Sequence, residues 1–95
     1  MKLNNSVQNV EKEQIKYFKF PKTEVLAQRN EQINRKIELN RALSLGNLER
    51  QKVKIVFVDQ DGYKRVETTV WGVTDKAVIL KKSTLIPLQR IISVA

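Results

Sequence analysis

Residues 51–95 constrain the fold most, because apolar and polar side chains alternate there between closely spaced turn signals. Short alternating runs rich in β-branched residues predict strands, and several in succession are typical of a small antiparallel barrel. The first predicted strand follows Gln51 and ends at the Asp59–Gly62 turn, and the others are Tyr63–Val73, Ala77–Leu80, Leu85–Leu88 and Ile91–Val94. We therefore expect a mostly β protein, in which residues 47–95 form a five-stranded barrel.

The composition argues against an enzyme. So small a barrel has almost no interior volume for a reaction pocket, so its surface and edges must carry the function. The chain contains no cysteine and no histidine, which removes disulfides, the preferred zinc ligands and the commonest acid–base group near neutral pH. The sequence also has no glycine-rich phosphate loop and no pairing of a nucleophile with a base. We expect no catalytic residue, no cofactor and no metal site.

The charge balance indicates a polyanionic partner. Eighteen basic residues face ten acidic ones, a net charge of +8 with an isoelectric point near 10.0. Such a chain is attracted to RNA or DNA, although many small proteins are basic for solubility alone. The chain contains no run of about 20 apolar residues that would cross a bilayer. Its N-terminus also lacks the apolar stretch of a secretory signal, so we expect a cytoplasmic protein that does not bind membranes.

Residues 1–22 are predicted to be a flexible N-terminal segment that carries an aromatic cluster. Its first 16 residues are polar and offer little apolar area to offset the entropy of ordering. The cluster, Tyr17, Phe18 and Phe20, has three alternative interpretations. It either folds back onto the barrel, docks onto a protein partner or stacks on bases.

A long helix is predicted over residues 23–46. Thr23 is an acceptable N-cap, Gly46 is a typical C-terminal stop, and no glycine or proline lies between them. We expect ion pairs between Glu31 and Arg35 and between Glu38 and Arg41. The apolar stripe is narrow for so long a helix. Part of it therefore projects, pairs with a second copy or lies on a partner.

Two basic clusters and one tryptophan are the candidate nucleic-acid contacts. The first hairpin carries Lys52, Lys54, Lys64 and Arg65, and the helix carries Arg29, Arg35, Lys36 and Arg41. Phosphate contact requires only clustered Lys and Arg side chains, so each cluster also fits a merely solvated face. Trp71, the only tryptophan, faces outward if Val66, Thr68 and Val70 face inward. A bend at Gly72 would alter that alternation and leave Trp71 in the core.

Residues 47–94 resemble the Sm-like (Sm/Hfq) family of small barrels, and more broadly SH3-like barrels, in element order and hydrophobic spacing. Lys-Val-Lys-Ile with the later Asp-Gly is similar to the first strand and turn, and Val-Trp-Gly-Val-Thr-Asp to the bent second strand. Leu-Ile-Pro-Leu-Gln-Arg-Ile-Ile-Ser-Val is similar to the closing segment. The resemblance implies a helix-capped barrel, RNA binding and ring assembly through free strand edges. The segment Val66–Trp71 also resembles part of other small bacterial proteins, which implies no activity.

The RNA pocket of the Sm-like family is not carried over. Asp75 matches the aspartate of its uridine-binding pattern, but no asparagine follows Ala77 and Val78. Arg90 is followed by Ile91 where the family has glycine, and Leu-Gln-Arg stands where Hfq has Tyr-Lys-His. The primary hypothesis is a nucleic-acid-binding module, with RNA preferred over DNA. The alternative is a protein-interaction adaptor that docks onto a large machine, such as the ribosome or RNA polymerase, through the aromatic segment and the helix.

Overall fold

The computed structural model describes residues 6–95, which form a mixed α/β fold of one long helix and two sheets. The helix is α1 (Arg29–Glu49), and short 3-10 turns cover Lys12–Tyr17, Lys81–Ser83 and Leu88–Arg90. The strands are β1 (Gln8–Val10), β2 (Val53–Asp59), β3 (Gly62–Thr68), β4 (Val70–Val73), β5 (Ala77–Leu80), β6 (Thr84–Pro87) and β7 (Ile91–Val94).

The strands form two separate sheets, so the prediction of a closed barrel is wrong. One sheet has the order β1-β3-β2-β7 and the other the order β4-β5-β6. The chain passes from the first sheet to the second at Thr69, between β3 and β4. Within the described residues β6 and β7 form no ladder with each other, because the 3-10 turn Leu88–Arg90 turns the chain between them. The predicted bend near Gly72 is present as a register shift between Val70 and Gly72.

The core lies between the two sheets and the helix. Val53, Ile55 and Phe57 alternate along β2 and face inward, as predicted from their spacing. Leu39 and Ala42 bring the helix onto β4 and β7. The core is completed by apolar side chains of the other strands: Val66, Val70, Val78, Leu80, Ile86, Ile91 and Val94. Burial of this apolar surface is the main stabilising contribution to the fold.

The helix begins six residues later and ends three residues later than predicted. It starts at Arg29 because Gln28 and Glu31 form a capping box, in which each side chain accepts a hydrogen bond from the other's backbone N–H. Residues 23–28 are not helical, because the backbone N–H of Val25 donates to Gln89 and holds that segment in place. At the other end, Arg50 adopts the left-handed conformation that closes the helix.

Gly46 lies inside the helix because the helix crosses β4 at that point. A Cβ atom there would lie 2.5 Å from the backbone oxygen of Val70 and 2.9 Å from Cγ2 of Thr69. The prediction of Gly46 as a helix stop was therefore wrong. Glycine is required there for close approach of two backbones, not for a left-handed turn.

The described part of the N-terminal segment packs on the sheets, contrary to the prediction of a flexible 1–22. β1 pairs parallel with β3, and Ile15 is buried in the 3-10 turn that packs against β6 and β3. The three residues of β1 and the buried Ile15 hold this segment on the sheets, which its polar composition did not predict. The first five residues of the predicted segment lie outside the described range.

Candidate nucleic-acid interface

Trp71 faces outward on β4. Its neighbours Thr69 and Val70 are buried, whereas Trp71 exposes 51% of its surface. Val66, Thr68 and Val70 point inward, so the outward alternative of the sequence analysis is confirmed. A half-exposed indole offers a flat face on which a base or another ring can stack.

Trp71 lies in an open groove between the end of α1 and the second sheet. The groove has a volume of about 580 Å³, within the usual range for ligand sites. We call this feature the Trp71 groove, and its lining residues are Gly46, Asn47, Arg50, Lys52, Thr69, Trp71 and Lys81. Close packing of Gly46 on β4 is what brings the helix end beside the indole.

The Trp71 groove is positively charged and contains no acidic lining residue. Arg50, Lys52 and Lys81 are all exposed, and within residues 6–95 none of them has an ion pair within 4.0 Å. Arg50 has φ 56°, where glycine or asparagine is the usual choice at a helix end. Three unpaired cations around an exposed aromatic ring suit a ligand that is both anionic and planar.

Three of the four basic residues predicted as a cluster on the helix, Arg29, Arg35 and Lys36, line one groove, and Arg41 does not. The Arg35 side chain is only 8% exposed. It donates two hydrogen bonds of 2.7 Å to the Glu24 carboxylate and one of 3.1 Å to the backbone oxygen of Ile91. The expected pair with Glu31 is therefore wrong, because Glu31 is used in the capping box. The hydrogen bonds from Arg35 lower the pKa of Glu24 below its ordinary value.

The remaining helical cations lie on the surface. Arg41 forms the predicted exposed ion pair with Glu38, at 2.9 Å. Arg29 and Lys36 line a shallow groove of about 270 Å³ beside Ile33 and Asp75. A pair of exposed cations next to an acidic side chain has less attraction for a phosphate than the Trp71 groove.

Lys64 does not belong to the basic patch predicted on the first hairpin. Its ammonium donates to both oxygens of the buried Asp59 carboxylate, at 3.0 and 3.2 Å, and lies 5.2 Å from the Phe18 ring centroid. Asp59 also accepts hydrogen bonds from the backbone N–H groups of Asp61 and Gly62. Lys64 therefore holds the hairpin turn together and is not available to a ligand.

The other three residues of that patch do share one face. Lys52, Lys54 and Arg65 line a second open groove of about 450 Å³, together with two carboxylates. Its lining residues are Asn9, Val10, Glu11, Lys52, Lys54, Arg65 and Glu67, and we call it the β1 groove because β1 forms one wall. Lys52 lines both grooves.

Two of the three N-terminal aromatic residues pack against the core. The rings of Phe18 and Phe20 lie 6.3 and 5.9 Å from that of Phe57, centroid to centroid. Tyr17 is 75% exposed. The fold-back alternative therefore describes Phe18 and Phe20, and only Tyr17 is open to a partner.

Two basic residues of the Trp71 groove were absent from the predicted site, and a further basic residue, Arg90, has a structural role. Arg50 and Lys81 were not predicted as contacts, because one follows the helix and the other lies in a turn far along the chain. The available signal was that no acidic residue lies three or four positions from either of them, although Glu49 directly precedes Arg50. Arg90 is buried, and it donates to Val58 and Thr23 instead of facing a ligand.

Comparisons with protein-family models, with curated proteins and with solved structures found no match. Within the described residues, no helix is both long and apolar enough to span a membrane. Residues 6–95 also contain no group of three or more acidic side chains arranged to hold a metal ion.

Proposed function

We propose that this protein is a non-enzymatic nucleic-acid-binding module that holds single-stranded RNA in the Trp71 groove. The observation that carries the proposal is the half-exposed Trp71 surrounded by Arg50, Lys52 and Lys81, which have no acidic partner in the described chain. The indole stacks on one base, and the cations contact the flanking phosphates.

Single-stranded RNA is a better match than duplex for this groove. A stacked base must leave its pair to reach Trp71, and unpaired bases are common in RNA loops and ends. The groove offers a ring and point charges but no protruding helix or ribbon to enter a duplex major groove. RNA is therefore the first choice, and single-stranded DNA of the same sequence is the comparison ligand.

The proposal is tested with the fluorescence of Trp71, which is the only tryptophan in the chain. We expect RNA hexamers to quench this fluorescence. A plot of the logarithm of the binding constant against the logarithm of the salt concentration should have a slope of about −2, from ~0.7 for each of three cations. Trp71→Ala should weaken binding of a dye-labelled hexamer by about 1–3 kcal/mol, roughly 5- to 150-fold. Trp71→Phe keeps a ring and should retain part of that affinity.

A pair of lysines on one strand supplies the matched control. Lys81 and Lys76 flank opposite ends of β5, both are exposed, and only Lys81 lines the Trp71 groove. Lys81→Ala should weaken binding and reduce the salt slope, whereas Lys76→Ala should change neither. Equal loss in both variants, or no quenching by any RNA or DNA at ~50 mM salt, would reject the proposal.

We further propose that the module is a divergent, open form of the Sm-like fold. A helix precedes the strands, the segment 62–73 crosses from one sheet to the other, and a 3-10 turn separates the last two strands. β6 and β7 each pair with a single neighbour in the described chain, which supports self-association through strand edges. Measurement of the mass in solution tests this part, and a monomer contradicts it.

The second candidate function is a protein-interaction adaptor. Ile33 and Ile37 lie one turn apart on α1 and are each about half exposed, at 50% and 51%, and Tyr17 is more exposed still. Such side chains suit a protein partner better than a phosphate backbone. Tyr17→Ala, with Ile33→Ala and Ile37→Ala, should abolish capture of a protein partner if this function is correct and leave Trp71 quenching unchanged.

A further inference from the structure

The Trp71 groove and the β1 groove meet at Lys52, which lines both. Lys52 directly precedes β2, and Lys54 follows two positions along the chain on the same face. Two residues of strand span about 7 Å, so the two ammonium groups can follow one extended backbone. A single-stranded nucleic acid that passes from Trp71 along Lys52 therefore reaches the β1 groove next. The inference below rests on the proposed function.

The β1 groove differs chemically from the Trp71 groove because it contains carboxylates among its cations. Lys54 lies directly opposite Glu67 in the β2–β3 ladder, and Glu11 follows the end of β1. Neither carboxylate has an ion pair within 4.0 Å in the described chain, although Lys54 and Arg65 line the same groove. The Glu11 side chain accepts a hydrogen bond from the backbone N–H of Gln14 in a capping box of the 3-10 turn, and its second oxygen can accept one from a ligand. The Glu67 carboxylate is exposed and can accept hydrogen bonds with both oxygens.

Arg65 is fixed in position at the floor of this groove. Its Nε donates to the Asn9 Oδ1 at 2.8 Å, a contact that ties β3 to β1. The terminal NH groups of the guanidinium are further donors that a phosphate or a base edge can accept from. Lys54 and Arg65 therefore supply the positive charge that offsets the two carboxylates.

Carboxylates distinguish between the parts of a nucleotide. They repel the phosphate backbone but accept hydrogen bonds from exocyclic amino groups, as a glutamate does from cytosine N4. Uracil presents a carbonyl oxygen at the same place, which a carboxylate repels. A base in the β1 groove is therefore favoured if it carries an amino group, while its phosphates lie toward Lys52 and Lys54.

We propose that the β1 groove is a second nucleotide subsite, continuous with the Trp71 groove through Lys52, in which Glu67 and Glu11 select a base with an exocyclic amino group. The bound segment is a short single strand of which one base stacks on Trp71 and a neighbour is read in the β1 groove. Cytosine is the clearest case, because it differs from uracil at the position that the carboxylates contact.

The test compares hexamers of cytidine and uridine by quenching of Trp71. We expect the wild-type protein to bind the cytidine hexamer about tenfold more tightly, the size of one good base contact. Glu67→Gln presents an amide that both donates and accepts hydrogen bonds, so the ratio of the affinities for the cytidine and uridine hexamers should fall toward one. Glu38→Gln, which removes the same charge from a partly exposed helix position outside both grooves, should leave the preference unchanged.

A second measurement separates the subsite from base stacking. For the hexamer, Lys54→Ala should reduce the salt slope by ~0.7, the contribution of one phosphate contact. For a mononucleotide, which reaches only Trp71, the same substitution should leave the salt slope unchanged. If both hexamers quench Trp71 with equal affinity, or if Glu67→Gln retains the cytidine preference, the second subsite is wrong and the proposed function stands. If no oligonucleotide quenches Trp71, both proposals fail.

Discussion

The basic residues of this protein fall into two regions that use the same charge in opposite ways. The side chains of Lys64, Arg35 and Arg90 are buried and donate hydrogen bonds within the protein, to Asp59, Glu24 and backbone oxygens. Arg50, Lys52 and Lys81 are exposed around Trp71 and have no ion pair in the described chain. A net charge of +8 therefore overstates the charge that a ligand meets.

The difference shows which basic residues are candidates for recognition. A long basic side chain near an acidic one from a distant segment is used in folding, as Arg35 is by Glu24 across eleven positions. A basic side chain beside an exposed aromatic ring and without such a partner remains available. Local spacing in the sequence does not separate these cases, because both acidic partners come from other elements of the fold.

Removing the lysine of the buried pair is the strongest way to challenge this comparison. Lys64→Ala leaves Asp59 buried, at 2% exposure, without its charged partner. We expect the free energy of unfolding to fall by about 3 kcal/mol or more, measured by denaturant titration. Affinity for an RNA hexamer, measured where the variant is folded, should be unchanged.

Lys52→Ala provides the opposite outcome. It removes an exposed lysine without an ion pair, so stability should change by no more than ~0.5 kcal/mol while RNA affinity falls. A Lys64→Ala variant that kept its stability, or lost RNA affinity, would show that the two regions are not distinct.

The strands were largely predictable because their signals are local. Ala77–Leu80 and Ile91–Val94 have the predicted bounds, and the Asp59–Gly62 turn joins β2 and β3 as expected. Alternation predicts which side chains of β2 face the core, whereas it left Trp71 open between the surface and the core because of the bend at Gly72. Closure of the sheets was not predictable from alternation, because it depends on how Leu88–Arg90 redirects the chain.

The helix bounds and the groove depend on contacts between distant residues. Gln28 and Glu31 cap the helix because segment 23–28 is held by Gln89 and Arg90. Arg50 and Lys81 are far apart in sequence and meet only because α1 crosses β4. The hydrophobic periodicity of a strand (two residues) or of a helix (three to four residues) contains no information about how the two elements cross.

Gly46 both packs the helix on β4 and lines the Trp71 groove. Its substitution therefore tests a structural contact and the groove at once. Gly46→Ala puts a Cβ atom 2.5 Å from the backbone oxygen of Val70, which is too close for either backbone to remain in place. We expect a loss of about 1–3 kcal/mol of stability and a change in Trp71 fluorescence as the helix end moves. Thermal unfolding and emission spectra measure the two effects.

Gly72→Ala is the matched control, because a Cβ atom there would lie 3.2 Å from Cδ1 of Ile79, the flexible end of a side chain. Its effect on stability should be the smaller. A Gly46→Ala variant as stable as the wild type would mean that the helix does not press on β4 at this point.

The pair of Arg35 with Glu24 gives a smaller expected effect than Lys64→Ala or Gly46→Ala, and this effect depends on pH. The hydrogen bonds from Arg35 lower the pKa of Glu24 in the folded protein below the ordinary value of 4.5. The carboxylate therefore stabilises the fold at pH values above 4.5, and this contribution is lost as the pH falls through the lowered pKa. Glu24→Gln should cost about 1 kcal/mol at pH 7 and nothing at a pH below the folded pKa.

Glu38→Gln separates this effect from a general change in net charge. Glu38 forms an exposed ion pair with Arg41, so its substitution should cost only a few tenths of a kcal/mol at pH 7 (~0.3). Denaturation midpoints of both variants and the wild type are measured from pH 7 downward. A Glu24→Gln difference that stayed constant over this range would mean that Arg35 does not depend on the ionised carboxylate.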